Sequence, residues 1–397
     1  MRKKVTVMLT LVLIIALFVG GCTTPQAGPE EPGEPSDGPK LGGSITYGMT
    51  GDPVIFNPIL YTDSPSGFVI DRVYSGLVRA NENLEMVGDI AESWTFSDDG
   101  LVWTFNLRED VKFHDGTPLT SEDVKFTYEA ILHPDYTGIR ATNFKSVEKI
   151  EAPDPYTVEF HLKEPFAPLL TYLGFGILPK HIFEQTPIKD MKENPANFEP
   201  IGSGPYKFVE WVRGQHIILE ANEDYYGEGP YIEQVIIKFY QDEQVMLAAL
   251  EKGDIDYMGS IPPDDVERVK AEHSDRLDFV EVPANGYTYI GLKQTHPILS
   301  DKRVRKALMY GLNRQAIVDD ILLGYGTVMN ANIPPVSWAY AEGELEPYEY
   351  NPEKAKQLLE AHYLIAEKLD TATISQIVDA MTGVESALGE FIPPLNS

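Results

Sequence analysis

The sequence predicts an α/β protein of two or three domains. Three observations carry this. The 397 residues are too many for one core. With 43% hydrophobic and 11% aromatic residues, the chain can bury real cores. From Leu41 onward, short period-two runs alternate irregularly with longer period-3.6 stretches, which argues for α/β or α+β layers rather than a bundle or a sandwich.

In chain order, "GGSITYG" (42–48) reads as a strand. "NPILYTDSPSGF" starts with turns, a helix is expected around Phe68 to Leu77, and Asn81-Glu82-Asn83 is a polar turn. "LVWTFNL" alternates strictly, so Leu101, Trp103, Phe105 and Leu107 share one face of a strand. Asp98-Asp99-Gly100 is the turn before it, Arg108 to Asp110 the turn after it, and Val111 and Phe113 line a second short strand. Thr120 with Asp123 forms a capping box, and Val124, Tyr128, Ile131 and Leu132 give the following helix its apolar stripe up to His133-Pro134. "YTVEFHL", "GPYKFVEW", "QHIILEAN" and "YIEQVIIKFY" are strands. "QDEQVMLAALEKGDIDYM" is a helix ended by Gly253 and then a short strand, and "NGYTYIGLK" is another strand. "SDKRVRKALMYGL" and "NRQAIVDDILLG" are two helices, capped near Ser300 and at Asn313 and closed at Gly324.

The N-terminus has a different texture. Arg2, Lys3 and Lys4 precede an apolar run from Val5 to Val19, and Gly20-Gly21-Cys22 follows. That order is a secretory signal. Small residues before a cysteine resemble a bacterial lipoprotein processing site, so residues 1–22 are expected to be a signal peptide and Cys22 a lipidated N-terminus. The apolar run is short for a membrane span. Residues 23–42 are Pro, Gly and Glu rich and read as a solvated tether. Cys22 is the sole cysteine, so no internal disulfide forms. The net charge of −29, from 61 acids against 32 bases, has the wrong sign for a nucleic-acid binder. The acids are scattered, which suits an acid-rich surface better than a dedicated site for cations.

Local patterns give little support to catalysis. The eight histidines show none of the i,i+3 or i,i+4 pairs of a zinc helix, and no phosphate loop or nucleophile elbow is present. "GSGPYKF" (202–208) reads as a tight turn into a strand. His114-Asp115-Gly116 sits between a strand and a capped helix, where Asp-Gly is turn chemistry; a structural turn is expected, with general base or metal ligand as the alternative. Aromatics in turn-rich segments, Tyr61, Tyr325, Trp338 and Tyr340, are better ligand candidates than those at core periods.

"AESWTFSDDGLVWTFNLREDVKFHDGTPLTSEDVKFTYEAIL" (91–132) closely resembles the hallmark of the family 5 extracellular solute-binding proteins, the peptide- and nickel-binding lipoproteins of ABC importers. So do "GDPVIFNPIL" (51–60), "GSGPYKFVEW" (202–211), "NEDYYGEGPYIEQVIIKFY" (222–240), "ALEKGDIDYM" (249–258), "LSDKRVRKALMYGLNRQAIVDDILLGYG" (299–326) and "NPEKAKQLLE" (351–360). The resemblance implies a two-lobed periplasmic-binding-protein-like fold of type II with an extra third domain. Residues 43–80 and 200–284 would form the first lobe, 81–199 the extra domain and 285–360 part of the second lobe. It further implies a monomer that traps a solute, most often an oligopeptide read along its backbone, and hands it to ABC permease subunits in the membrane. Nickel complexes, haem and oligosaccharides are the other ligands of such proteins. No cofactor, catalytic residue or resident metal is expected.

Residues 361–397 depart from the pattern. The family usually breaks its helix at a glycine, whereas Leu358, Leu359, Ile365 and Leu369 keep a helical stripe here, and Thr373 with Gln376 suits the cap of a second helix. The family's late aspartate-bearing segment, which pairs with a peptide's amino terminus, is not found. A C-terminal truncation with an incomplete second lobe and weak ligand binding is therefore expected. Candidate ligand contacts are Tyr61, Asp63 and Ser64 in the first lobe, Asn285 and Tyr287 at the crossing, and Tyr325 and Trp338 in the second lobe. Their types suit stacking and backbone hydrogen bonding. His296 is the lone histidine near the crossing that a nickel complex would use. A non-transporting product and an extracytoplasmic hydrolase built on His114 are the rival readings.

Overall fold

The computed structural model describes residues 41–366, apart from 338, 342 and 344, with side chains described up to residue 360. Cys22, Trp338, the tether up to residue 40 and the tail from residue 367 lie outside the described residues.

Two main sheets organise the fold. The first has five strands in the order β11-β1-β10-β9-β8: β1 Ser44–Thr50, β8 Tyr206–Val212, β9 His216–Ala221, β10 Gln234–Tyr240 and β11 Tyr257–Met258. β1 is parallel to both β10 and β11, while β9 is antiparallel to β10 and β8. Helix α1, Ser64–Val73, covers one face, where Val69, Ile70 and Val73 pack on Ile217, Leu219, Val235 and Ile237. Helix α3, Glu243–Lys252, covers the other; Met246 lies so close over Gly48 that a Cβ there would sit 2.7 Å from its Cγ. α3 stops where Gly253 takes φ 81°, a left-handed cap that glycine adopts without a Cβ penalty.

The second sheet has four antiparallel strands in the order β4-β5-β7-β6: β4 Ala91–Phe96, β5 Val102–Leu107, β6 Val147–Asp154 and β7 Thr157–Leu162. Trp103, Phe105 and Leu107 face inward with Val158, Phe160 and Leu162, as the alternation predicts. Helix α2, Ser121–Leu132, lies on this face. Its Tyr128 ring meets Phe160 and Phe144 edge-on at 5.0 and 5.4 Å. The capping box forms: the Thr120 N–H donates to Asp123 Oδ2 at 2.9 Å. A short ribbon, β2 Val78–Ala80 and β3 Met86–Gly88, lies between the sheets in sequence. Further on, α4 spans Pro263–His273, and α5, Lys302–Gly311, packs Val304, Ala307 and Tyr310 against Ala355 and Leu359 of α6, Pro352–Ala366.

Several expectations change. The first helix spans Ser64–Val73 rather than Phe68 to Leu77, because Asp63 caps it and Pro65 suits its first turn. Val111 and Phe113 are buried, but the segment makes an isolated bridge between Lys112 and Pro118 instead of a strand. "NGYTYIGLK" is extended and exposed without a strand partner among the described residues, so its β pattern is not realised as a ladder there. Past Asn313 the helix is a short turn, Arg314–Ala316, that widens into a π turn over Ile317–Ile321. β6 and α4 were not foreseen. Two register shifts break the alternation of β6, and α4 buries only Val266 and Val269, too few for an apolar stripe.

Candidate ligand site

The carboxyl ends of the parallel strands β1, β10 and β11 fall at Thr50, Tyr240 and Met258. Open α/β sheets present ligand sites beyond such ends. The loop that leaves β1 there is pinned along its length. Asp52 accepts from Trp211 Nε1–H at 2.9 Å and from the Gly214 N–H at 3.0 Å. Ser66 Oγ accepts from the Val54 and Ile55 N–H groups at 3.0 and 3.2 Å. Asn57 is fully buried and donates to Asn197 Oδ1 at 2.8 Å. A loop fixed in this way holds its side chains in place before any ligand arrives.

Tyr61, Asp63 and Ser64 lie together at the end of this loop. The half-buried Tyr61 ring sits against Gly67, where a Cβ would come within 3.0 Å of it, and the Arg140 guanidinium lies 4.8 Å from its centre. Asp63 is the N-cap of α1: it accepts from the Ser66 N–H and from Ser66 Oγ–H, both at 2.8 Å. Ser64 is exposed on the first turn. Asn285 and Tyr287 lie elsewhere, on the exposed extended segment, with the Tyr287 and Tyr289 rings 5.9 Å apart. Tyr325 is engaged by α4: its hydroxyl donates to Glu267 at 2.9 Å, and Lys270 Nζ lies 5.7 Å from its ring centre. The bond to Glu267 pushes the Tyr325 phenol above its ordinary range.

Two groups escaped sequence reasoning. On the α1 face of the first sheet, Tyr47 meets Tyr257 at 4.9 Å and Phe68 at 5.2 Å, and the Arg72 guanidinium stacks 3.4 Å from the Phe68 ring centre. This surface can stack a planar group or meet a carboxylate. The Phe68-Arg72 spacing of four on one helix was the available signal, but Tyr257 comes from a distant strand. The second group lines a cavity of about 370 Å³ with Asn313, Arg314, Asn330, Tyr348 and Tyr350. Arg314 donates to Met329 O, to Asn330 Oδ1 at 3.0 Å and to Tyr348 O at 2.7 Å. Its burial lowers the guanidinium pKa. The sequence marks only Asn313 there, as a helix cap.

His114 and Asp115 do not work as a pair. The His114 backbone N–H donates to Gly202 O at 2.8 Å, and its Nδ1 accepts from the Gly202 N–H at 3.3 Å. That leaves Nε2–H to donate to Gly204 O at 3.0 Å. Both ring nitrogens are therefore used, and burial pushes the imidazole down to about 4, so it is neutral at pH 7. Asp115 instead holds His181 at 2.7 Å. The histidine is a clamp on the Gly-Ser-Gly turn, as the turn chemistry suggested.

The profile of the bacterial extracellular solute-binding proteins, family 5 Middle, matches residues 85–392. The match runs through most of the segment 361–397, which had read as foreign to the family. The oligopeptide-binding protein AppA of Bacillus subtilis is 36% identical over 362 residues, covering 90% of this chain and 66% of AppA. The probable D,D-dipeptide-binding periplasmic protein DdpA of Escherichia coli is 31% identical, covering 79% of this chain and 61% of DdpA. The structure of AppA in complex with a nonapeptide matches with a TM-score of 0.75 at 38% identity, covering 82% of this chain and 65% of that one. NikZ of Campylobacter jejuni in complex with Ni(L-His) matches with a TM-score of 0.72 at 31% identity, covering 80% of this chain and 63% of NikZ. The chain thus spans about two thirds or less of the length of these relatives. With the profile matched along most of its length and this fold shared, the chain belongs to the bacterial extracellular solute-binding proteins of family 5.

Proposed function

We propose that the protein is the extracytoplasmic binding component of an ABC importer and that it captures oligopeptides for delivery to the permease. The observation that carries this is the likeness to AppA, whose structure holds a nonapeptide. In this reading residues 43–80 and 200–284 form the first lobe, 81–199 the extra domain and 285–360 contribute to the second. The pinned loop with Tyr61, Asp63 and Ser64 is the first-lobe wall, Asn285 and Tyr287 lie at the crossing, and Tyr325 and Trp338 belong to the second lobe. Backbone recognition of an extended peptide needs only stacking surfaces and accessible polar groups, which tolerates varied side chains. The test is native purification of the protein from cells that produce it, acid release of bound material and mass spectrometry. A mixture of short peptides is expected; recovery of no peptide, or of one non-peptide solute, overturns the reading.

The likeness to NikZ supports nickel complexes as a second reading. His296 is exposed, and its Nδ1 accepts from the Ile298 N–H at 3.3 Å, which leaves Nε2 for such a ligand. Stoichiometric nickel in the same purified material would favour it.

The protein is held at the membrane through lipid on Cys22. The basic start, the apolar run Val5 to Val19 and Gly20-Gly21 before the cysteine support this. Cys22→Ala should move the protein from the membrane fraction to the soluble extracytoplasmic fraction; unchanged membrane retention would sink the anchor.

A further inference from the structure

We infer that the outer face of the four-stranded sheet carries a divalent metal site built from Glu151, Glu159 and His161, suited to a first-row transition cation such as zinc. The strand pattern makes it. Along β7, Val158, Phe160 and Leu162 point into the core, so Glu159 and His161 stand side by side on the opposite face. β6 runs antiparallel and sets Glu151 directly across from Glu159, with Lys149 across from His161. Two carboxylates facing each other across a ladder repel. Lys149 and His161 offset part of that repulsion, and a divalent cation bound to both carboxylates would offset more.

The donor geometry fits a metal. His161 Nε2 lies 2.9 Å from Glu151 Oε2 and 3.3 Å from Glu159 Oε2, and one ligand atom from each of the three residues falls within 4.8 Å of the others. A tetrahedral zinc with bonds of about 2.0–2.2 Å separates its ligand atoms by roughly 3.3 Å. Nε2 is enclosed, yet neither oxygen is aligned to form a hydrogen bond with it. At 2.9 and 3.3 Å both oxygens still attract a protonated ring, so a metal would replace that ion pair. Lys149 Nζ takes the other oxygen of Glu151 at 2.8 Å and so orients the carboxylate with Oε2 toward the histidine. The buried Ile150 and Phe160 behind the donors make the platform rigid. Two carboxylates, one imidazole and room for solvent suit zinc and its neighbours better than magnesium, which prefers all-oxygen sites.

A second trio, Glu251, Glu272 and His273, does not qualify. Arg268 lies 2.5 Å from Glu251 and 3.3 Å from Glu272, so one guanidinium engages both carboxylates, whereas Lys149 engages only the far oxygen of Glu151 and leaves Glu159 without a lysine or arginine partner among the ion pairs of the described residues. The proposed site lies outside the candidate ligand residues and does not depend on the peptide reading.

The test is titration of the whole chain with zinc in a chelator-buffered solution, with cobalt(II) as a spectroscopic probe. One zinc of micromolar affinity and a tetrahedral cobalt spectrum are expected. His161→Gln and Glu159→Gln should each weaken zinc by about tenfold or more, while Glu272→Gln leaves it unchanged. In the unsubstituted chain, zinc should protect His161 from diethylpyrocarbonate, a readout that needs no variant to fold. The site is overturned if zinc binds the unsubstituted chain no tighter than the His161→Gln variant, if Glu272→Gln carries the loss, or if His161 stays reactive at saturating zinc.

Discussion

Gly202→Ala is expected to cost about 4 kcal/mol or more of stability, from overpacking together with broken hydrogen bonds. A Cβ at position 202 would lie 1.9 Å from Val73 O, 2.6 Å from Val73 C and 3.1 Å from Tyr74 Cα. All three are backbone atoms at the end of α1, so no rotamer change relieves the clash. Moving the turn away pulls on the Gly204 N–H bond to Val73 O at 2.8 Å and on both Gly202 bonds to His114. Asn222 Nδ2, which donates to Gly204 O at 3.1 Å, would lose its partner as well. The measurement is urea unfolding of the two proteins, with Gly214→Ala as control. Gly214 has φ 69° but open space around it, so only the left-handed backbone penalty of about 1–2 kcal/mol applies there. Equal costs at the two glycines would refute the packing argument.

The second large effect is acid destabilisation through His114. Its folded pKa is pushed down to about 4 from an ordinary 6.5, chiefly by burial; the Gly204 bond and Asp115 oppose the shift and Lys207 adds to it. Above pH 6.5 the ring is neutral in both folded and unfolded chains. As pH falls from 6.5 toward 4, the unfolded chain takes up a proton that the folded chain refuses, so stability drops. Each pH unit in that window removes about 1.4 kcal/mol, so about 3 kcal/mol is gone by pH 4. Burial raises the pKa of Asp89, which pulls in the opposite direction, so the contribution of His114 is isolated by the difference from His114→Gln. The stability advantage of the unsubstituted protein over that variant should shrink as pH is lowered through the window. A constant advantage from pH 7 to pH 4 would show that His114 does not titrate as described.

What the sequence made legible was local. The alternation of β5, the capping box of α2 and the glycine stop of α3 each need only a few neighbouring residues. What it hid depends on distant partners. Asp63 was chosen as a type suited to backbone hydrogen bonding, and that it also caps a helix was hidden because the helix was expected around Phe68 rather than from Ser64. The Asp-Gly turn at 115–116 was readable, but not that His114 would reach the turn at Gly202 to Gly204. Tyr325 was selected for lying in a loop, and its partner Glu267 belongs to a helix too polar to be seen by apolar periodicity. The strand holding Glu159 and His161 was readable, but the unforeseen β6 is what sets Glu151 across from Glu159.

The place of β1 has a consequence for how the chain is made. This N-terminal strand sits inside its sheet, with Ser44 beside Gln234 on one flank and Tyr47 beside Tyr257 on the other. Neither neighbour exists until synthesis has passed well over half of the described chain. The four-stranded sheet, by contrast, draws all its strands from Ala91 to Leu162 and can close while β1 waits with its amide and carbonyl groups unpaired. An unpaired strand of this kind is a template for wrong pairing. The sheet around β1 therefore cannot close until the segments through Tyr240 and Met258 have been made.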